Sequence, residues 1–333
     1  MELCNFVFLN KLFKMAIRIL ANDGIEASGK KLLEAAGYEV DTNKIPQEEL
    51  ATALKNYDAI LVRSATKVRQ DLIDACPNIK LIGRGGVGLD NIDVAYAQSK
   101  GVAVVYTPAA SSRSVAELVI AKTLAGARFL HQAYRDMPSN GVAQFNDLKK
   151  AYSAGFELKG RTMGIVGMGR IGQEVARMAF GLGMNVISFK RNGEATVLPI
   201  EIAGQTIQAT IPCVSMDELL ANSDVLTINT TGKKGDAPIM TATEFAKLKK
   251  GAMVVNCARG NVWVEADLLA ALESGQVGFA GVDVFEKEPT ENAALLAHPR
   301  VGATPHIGGS TKEAQERIGS ELANQIIDFF GVN

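Results

Sequence analysis

The chain has 333 residues, 47% of them hydrophobic, enough for two or three domains with substantial cores. Its 35 basic and 36 acidic residues leave a net charge of −1, with no long basic run and no aromatic–basic interleaving, which argues against a nucleic-acid partner. Cys4, Cys76, Cys213 and Cys257 stand far apart with no CxxC pair, the pattern of free thiols in a reducing compartment, and no metal is expected.

Residues 1–14 hold an apolar patch, Phe6 to Leu9, too short and poorly flanked for a signal peptide or a membrane span. Met15 directly precedes the first strand pattern, so residues 1–14 read as an extension outside the fold. From Ile17 onward, short apolar runs at Ile17 to Leu20, Tyr38 to Val40, Ala59 to Val62, Ile79 to Ile82 and Val102 to Val105 are separated by helical patterns. Those patterns include Ser28 to Ala36, Glu48 to Lys55 and Asp90 to Lys100. Such alternation predicts a parallel sheet with helices on both faces, a first α/β domain ending near residue 112. A long amphipathic pattern, Ser114 to Leu130, comes next with Ser112 or Ser114 as N-cap, and Asp136 to Gly160 is turn-rich and weakly periodic.

Arg161 to Lys190 then reads strand, Gly-rich turn, helix, strand, one βαβ unit. Gly167 turns the chain off the strand, Gly169 keeps a Cβ away from a pyrophosphate, and Gly172 lets helix and strand pack closely. The helix N-terminus beyond them, opening with Arg170 and Ile171, offers unpaired N–H groups to phosphates. A Gly-x-Gly-x-x-Gly alone is weak evidence, but a strand before it and a helix after it point to dinucleotide binding. An Asp or Glu is expected about 20 residues on, to take the adenosine ribose hydroxyls. Lys190 holds that place and Arg191 follows, so the pair is either a solvated strand end or a partner for a 2′-phosphate, and both NAD and NADP are open.

After Lys190 a polar segment, Asn192 to Gln208, leads to apolar runs at Val225 to Ile228, Met253 to Asn256 and Phe279 to Val282. The helical patterns between and after them complete a second α/β domain with no internal repeat. In doubly wound sheets, ligands lie outside the carboxyl ends of the strands, so polar residues that follow strands are the candidates. They are Cys257-Ala258-Arg259-Gly260, then Asp283 with Glu286 and Glu288, and the loop Pro305-His306-Ile307-Gly308-Gly309-Ser310. Hydride transfer from a secondary alcohol needs a base near neutral pKa, which His306 supplies; a carboxylate would orient its ring and favour its protonated form, and Arg259 can grip a substrate carboxylate with two bonds. The bland alternatives are a solvated histidine and a strand-end surface charge. His131 and His298 read as structural or solvated.

The four ordered motifs, Gly167 to Gly172, Val255 to Gly260, Asp283 to Pro289 and Pro305 to Thr311, resemble the D-isomer-specific 2-hydroxyacid dehydrogenase family, from about Met15 to the end. The resemblance implies an α/β chain of two doubly wound parallel-sheet domains. A flavodoxin-like substrate domain would take residues 15–112 and 303–333. A Rossmann dinucleotide-binding domain would take 113–302, with a dimerisation arm at about 131–160. It implies that Arg259 binds the substrate carboxylate, that His306 is the acid/base, and that Glu288, not Glu286, is its partner. Cofactor contacts are implied for Val87, Gly167, Gly169, Arg170, Ile171, Gly172, Lys190, Thr230, Cys257, Ala258, Arg259, Asp283, His306, Gly308 and Gly309.

Within the family the chain most resembles the members that oxidise D-3-phosphoglycerate with NAD, the entry step of serine synthesis. That likeness rests on Val62 to Val68 and Gly83 to Asp93, and implies substrate contacts from Arg63, Ser64, Arg84, Gly86 and Val87 besides Arg259 and His306. Arg63, with Ser64 and Lys67 nearby, would hold the phosphate. Three departures stand out: Lys190, Asn229-Thr230-Thr231 where His-Thr-Pro is frequent, and Ala109-Ala110 after Pro108 where Asn-Gly is common. Residue 333 falls just past the family's catalytic core, so a serine-binding regulatory domain is not expected. The reading is a cytoplasmic homodimer acting on a small phosphorylated 2-hydroxy acid, with no membrane partner. The alternatives are an NADPH-dependent glyoxylate or hydroxypyruvate reductase and a dinucleotide-sensing corepressor.

Overall fold

A computed structural model describes residues 16–230 and 236–332; the expected N-terminal extension and Thr231 lie outside the described residues. The chain divides into two compact units, one running to Ser111 and resuming at Ser310, the other spanning Ser112–Gly309. Residues 303–309, His306 among them, therefore lie with the second unit and not with the first as the sequence suggested. The division follows from the chain path, because Val301–Ala303 pairs as a strand with Val277–Val282 and the loop after it is tied back to Asp283.

In the first unit β1 (Arg18–Ala21), β2 (Glu39–Asp41), β3 (Ala59–Val62), β4 (Leu81–Arg84) and β5 (Ala103–Tyr106) form a parallel sheet in the order β2-β1-β3-β4-β5. That is the flavodoxin-like order. Successive side chains of a strand point to opposite faces. Leu20, Ile60, Val62 and Ile82 accordingly enter one core with Leu50, Leu54 and Leu72, while Ile19, Ala59, Leu61 and Leu81 enter another with Leu33, Leu322 and Ile326. The last helix, Lys312–Phe330, is capped by Thr311, whose side chain accepts a bond from Ala314 N–H. It crosses the helix Ala27–Ala35 backbone to backbone: a Cβ on Gly29 would stand 2.4 Å from the Gly319 carbonyl oxygen.

In the second unit β6 (Thr162–Val166), β7 (Asn185–Phe189), β10 (Val225–Ile228), β11 (Ala252–Asn256), β12 (Val277–Val282) and β13 (Val301–Ala303) form a parallel sheet ordered β13-β12-β11-β10-β6-β7. Outside β7 a third Rossmann strand survives as a single parallel bridge between Ser188 and Cys213. The residues before it form an antiparallel hairpin, β8 (Thr196–Ile202) and β9 (Gln205–Ile211), closed by Ala203 and Gly204, both with positive φ.

That hairpin corrects the reading of 192–208 as a plain polar segment. Only Leu198 and Ile211 on it are fully buried, so the alternation is weak, and Ala203 stands where Asn or Asp normally announces a turn with two left-handed residues. The turn-rich segment 136–160 is also more regular than expected, with helices Leu130–Asn140 and Phe145–Ala151. Pro138 inside the first, and large apolar residues left exposed at Tyr134, Met137 and Phe145, hid the amphipathic period. The long helix before them is Ser112–Ala127, which places Ser114 inside its first turn and not at a cap. Glu48 to Lys55 is one short α-helical turn between two 3-10 turns, and the helix expected from Asp90 begins at Val94.

Candidate active site and cofactor cradle

β6 ends at Val166 and the Gly-rich turn follows at once. Gly167 has φ +93°, and a Cβ there would lie 3.0 Å from the Asn229 carbonyl oxygen at the end of β10. A Cβ on Gly172 would come within 2.1 Å of the Gly167 carbonyl oxygen and 3.2 Å of Ile165, so the helix can approach the strand only without it. Gly169 is the N-cap of the twelve-residue helix Arg170–Gly181, and no side chain caps it. The first-turn N–H groups are thus left for an anion, and the cradle fits a dinucleotide pyrophosphate. Arg170 is exposed, and Ile171 packs half-buried on the core.

At the end of β7, Lys190 and Arg191 line a cavity of about 560 Å³ together with Gly167, Thr230, Asp236 and Asn261. Lys190 Nζ donates to the Ala195 carbonyl at 3.5 Å, a long bond. No acidic side chain takes the position after β7.

At the carboxyl ends of β11, β12 and β13 the other candidates meet. Asn256 shapes the turn after β11: its side chain accepts from Ala258 N–H at 2.9 Å and donates to the Arg259 carbonyl at 2.8 Å. Cys257 and Ala258 are buried. Burial pushes the Cys257 thiol up to about 12, so it is an inert core thiol at neutral pH. A Cβ on Gly260 would overlap the Phe285 carbonyl, which packs the Arg259 turn onto the segment after β12.

His306 and Glu288 are brought together: His306 Nδ1 and a Glu288 carboxylate oxygen are 2.8 Å apart, and the other Glu288 oxygen accepts from Phe285 N–H at 3.1 Å. The bond from Glu288 raises the His306 pKa above its ordinary value. Burial works against it, the charges of Glu288 and Asp283 add to it, and Arg259 opposes it. Burial alone would raise Glu288, but the hydrogen bond and charge of His306, the Phe285 N–H and Arg259 together hold it below the usual range. Glu286 faces elsewhere: its carboxylate accepts from Glu265 N–H at 2.8 Å, and Glu286 N–H donates to the Glu265 carboxylate at 2.9 Å.

His306 has φ +52°, a conformation that a non-glycine residue adopts only when its surroundings hold it there. The holder is Asp283, fully buried, which accepts from Thr304 Oγ1 at 2.5 Å, Ile307 N–H at 2.9 Å and Gly308 N–H at 2.8 Å. Gly308 is tight against it, since a Cβ there would lie 3.0 Å from an Asp283 oxygen. Asp283 was legible as a strand-end carboxylate, but its use as the anchor of the His306 loop was not. The remaining histidines are structural: His131 Nε2 pairs with the Pro299 carbonyl at 2.9 Å, and His298 Nδ1 accepts from Arg300 N–H.

In the first unit, Arg63 and Ser64 follow β3 and are exposed. Their loop is tied by Asp23, which sequence reasoning missed: its carboxylate accepts from Arg63 N–H at 2.7 Å, Thr66 N–H at 3.0 Å and Thr66 Oγ1 at 2.7 Å. The Arg63 guanidinium donates to the Gln315 side-chain oxygen. Arg84 folds over Gly86, whose φ of +136° and missing Cβ make the room, and Gly86 N–H donates to Thr107 Oγ1 at 2.8 Å. Val87 beside it is half-buried.

Among the described residues no cluster of His, Cys, Asp or Glu could hold a metal ion, and no helix is long and apolar enough to cross a membrane. Residues 120–308 match the family profile described as D-isomer specific 2-hydroxyacid dehydrogenase, NAD binding domain. The chain is 38% identical over 312 residues to D-3-phosphoglycerate dehydrogenase of Rattus norvegicus, covering 93% of this chain but 56% of the rat protein. It is 39% identical to hydroxypyruvate reductase of Thermotoga maritima, over 95% of this chain and 99% of that one. The crystal structure of a glyoxylate reductase from Paecilomyes thermophila superposes with a TM-score of 0.78 at 31% identity, covering 94% of each chain. With a matching NAD-binding profile over more than half its length and full-length relatives above 30% identity, the chain belongs to the D-isomer specific 2-hydroxyacid dehydrogenase family.

Proposed function

We propose that the protein oxidises D-3-phosphoglycerate to 3-phosphohydroxypyruvate with NAD, as the entry to serine synthesis. The observation that carries the choice of substrate is the exposed Arg63, with Ser64 and Lys67, on a loop whose backbone is already ordered by Asp23. A phosphorylated substrate needs a second cationic group besides Arg259, and a guanidinium on a tied loop supplies it at reduced entropic cost. The likeness to the rat phosphoglycerate dehydrogenase supports the same reading.

The Gly-rich turn and the N-terminus of Arg170–Gly181 would hold the cofactor pyrophosphate, with Lys190, Arg191 and Thr230 toward the adenosine. The bound nicotinamide supplies the hydride acceptor for the hydrogen on C2. Arg259 fixes the substrate carboxylate, so that the C2 hydroxyl faces His306. With Nδ1 held by Glu288, His306 Nε2 takes the hydroxyl proton as the C2–H bond breaks, and returns it in the reverse reaction. Glu288 stabilises the imidazolium that results.

A second reading is an NADPH-dependent hydroxypyruvate or glyoxylate reductase. Two cations, Lys190 and Arg191, on the cavity after β7 support it, as does the likeness to the Thermotoga reductase. Initial rates of phosphoglycerate oxidation and hydroxypyruvate reduction, each with both cofactors, separate the two. Turnover of phosphoglycerate with NAD supports the first; activity confined to hydroxypyruvate with NADPH rejects it. We further propose a cytoplasmic homodimer. Exposed Tyr134, Met137, Val142 and Phe145 on residues 130–151 support a dimerisation arm, and the free thiols of Cys76, Cys213 and Cys257 support a reducing compartment.

A further inference from the structure

Lys122 lies in the middle of the helix Ser112–Ala127 with 5% of its surface exposed, and the mechanism above makes no use of it. A charged side chain is rarely buried without partners, and those of Lys122 are backbone oxygens. Its Nζ donates to the Val282 carbonyl at 3.1 Å and to the Gly302 carbonyl at 2.9 Å. Its stem crosses the sheet at Gly281, where a Cβ would come within 2.9 Å of Lys122 Cβ. The two carbonyls belong to neighbouring strands, β12 and β13, paired through Gly281 with Gly302 and Val282 with Ala303.

What these strands carry gives the bridge its meaning. Directly after Val282 comes Asp283, and Glu288 follows on the same segment; directly after β13 come Thr304 and the loop to Gly308. Thr304 N–H also donates to the Val282 carbonyl, so that one oxygen receives both Lys122 and the first residue of the His306 loop. An aliphatic residue would fill the same space without joining the two strand ends.

We propose that Lys122 is a positioning residue for the His306–Glu288 pair: its ammonium clamps the ends of β12 and β13 so that Asp283 holds the Thr304–Gly308 loop and His306 meets Glu288. The consequence for catalysis rests on His306 being the acid/base. The clamp itself is read on the histidine and not on turnover. The charged groups facing His306 are Glu288, Asp283 and Arg259. Lys122 faces the Asp283 carboxylate and the uncharged Cys257 thiol, and it stands near enough to His131 to depress it.

The chain has three histidines, so their ring resonances can be assigned by single substitutions and titrated by nuclear magnetic resonance. In Lys122→Met the His306 midpoint is expected to fall measurably toward the ordinary histidine value, as its bond to Glu288 loosens. The His131 midpoint is expected to rise in the same sample, because a repelling charge has gone. Opposite shifts distinguish positioning from direct electrostatics, which would raise both. An unchanged or raised His306 midpoint overturns the proposal. If Lys122→Met does not fold, Gly281→Ala reads the same point, since it crowds the Lys122 stem and keeps its charge. A lower His306 midpoint with His131 unmoved supports the clamp, and an unmoved His306 rejects it. Turnover of His306→Gln is measured separately: if it stays intact, the acid/base reading fails while the titration still decides the role of Lys122.

Discussion

The two ends of the dinucleotide-binding sheet are built on different principles. At the ends of β11 to β13 the key groups are tied to backbone: Asp283 accepts from two N–H groups and a threonine, and Glu288 is held by Phe285 N–H on one oxygen and His306 on the other. At the end of β7, Lys190 makes one long bond at 3.5 Å and Arg191 is exposed. The proposed proton transfer, which must be placed to within a few tenths of an ångström, would sit where the main chain fixes its groups. The side chains proposed to bear on cofactor choice can be exchanged without rebuilding the sheet.

The largest expected effect is at the rigid end. His306→Gln removes the proposed proton acceptor and should lower kcat by about 10²- to 10⁴-fold with little change in dinucleotide affinity. A variant that kept full turnover would remove His306 from the mechanism. The pH dependence follows from the raised His306 pKa. Oxidation needs the neutral ring, so kcat/KM should climb as pH rises through a midpoint above the ordinary histidine value, while reduction, which needs the imidazolium, falls through the same midpoint. In Glu288→Gln the midpoint should move down, because the group that favours the imidazolium has lost its charge. An upward shift would contradict the pairing.

Arg63 tests the substrate and not the chemistry. Arg63→Ala should raise KM for phosphoglycerate about 10- to 100-fold, the worth of charge-assisted bonds to a phosphate, and leave hydroxypyruvate nearly untouched. Equal losses on both substrates would mean that the residue only supports its loop. At the loose end the expected change is smaller. Lys190→Asp should move the NAD-to-NADP ratio of kcat/KM toward NAD by roughly tenfold, since a carboxylate accepts from ribose hydroxyls and repels a 2′-phosphate. No movement would make Lys190 a solvated strand end.

The same contrast explains what could be read from sequence. The parallel sheets and the Gly167–Gly172 turn were legible because each is written in consecutive residues, apolar runs and glycines at fixed offsets; the strand-end pattern offered Asp283, Glu286 and Glu288 alike, and only the family resemblance singled out Glu288. Asp23, Thr304 and Lys122 were not legible. Their partners, Arg63 and Thr66, Asp283, and the Val282 and Gly302 carbonyls, are distant in sequence, and local pattern cannot show which strand ends become neighbours. Lys122 stands on the buried stripe of its helix with Val115, Val119 and Gly126, but a lysine there reads as a surface residue until the sheet beneath it is known.

The β8–β9 hairpin is where the local signal misled, and it gives the smallest prediction. Ala203 sits at φ +50° and Gly204 at φ +80°, a two-residue turn of the kind that twists with its strands. Glycine takes that geometry freely, but in an L-residue the Cβ crowds the following carbonyl at a cost of about 1–2 kcal/mol. Asn bonds its own backbone there and costs less, without the extra freedom that Gly gives the unfolded chain. Ala203→Asn should therefore stabilise the protein by about 0.5–1 kcal/mol in urea melts, without altering turnover. Since Leu198 and Ile211 tie the hairpin to the core, the gain should appear in global unfolding and not as local stiffening alone. A loss of stability would mean that the turn is held by its strands against the preference of its own residues.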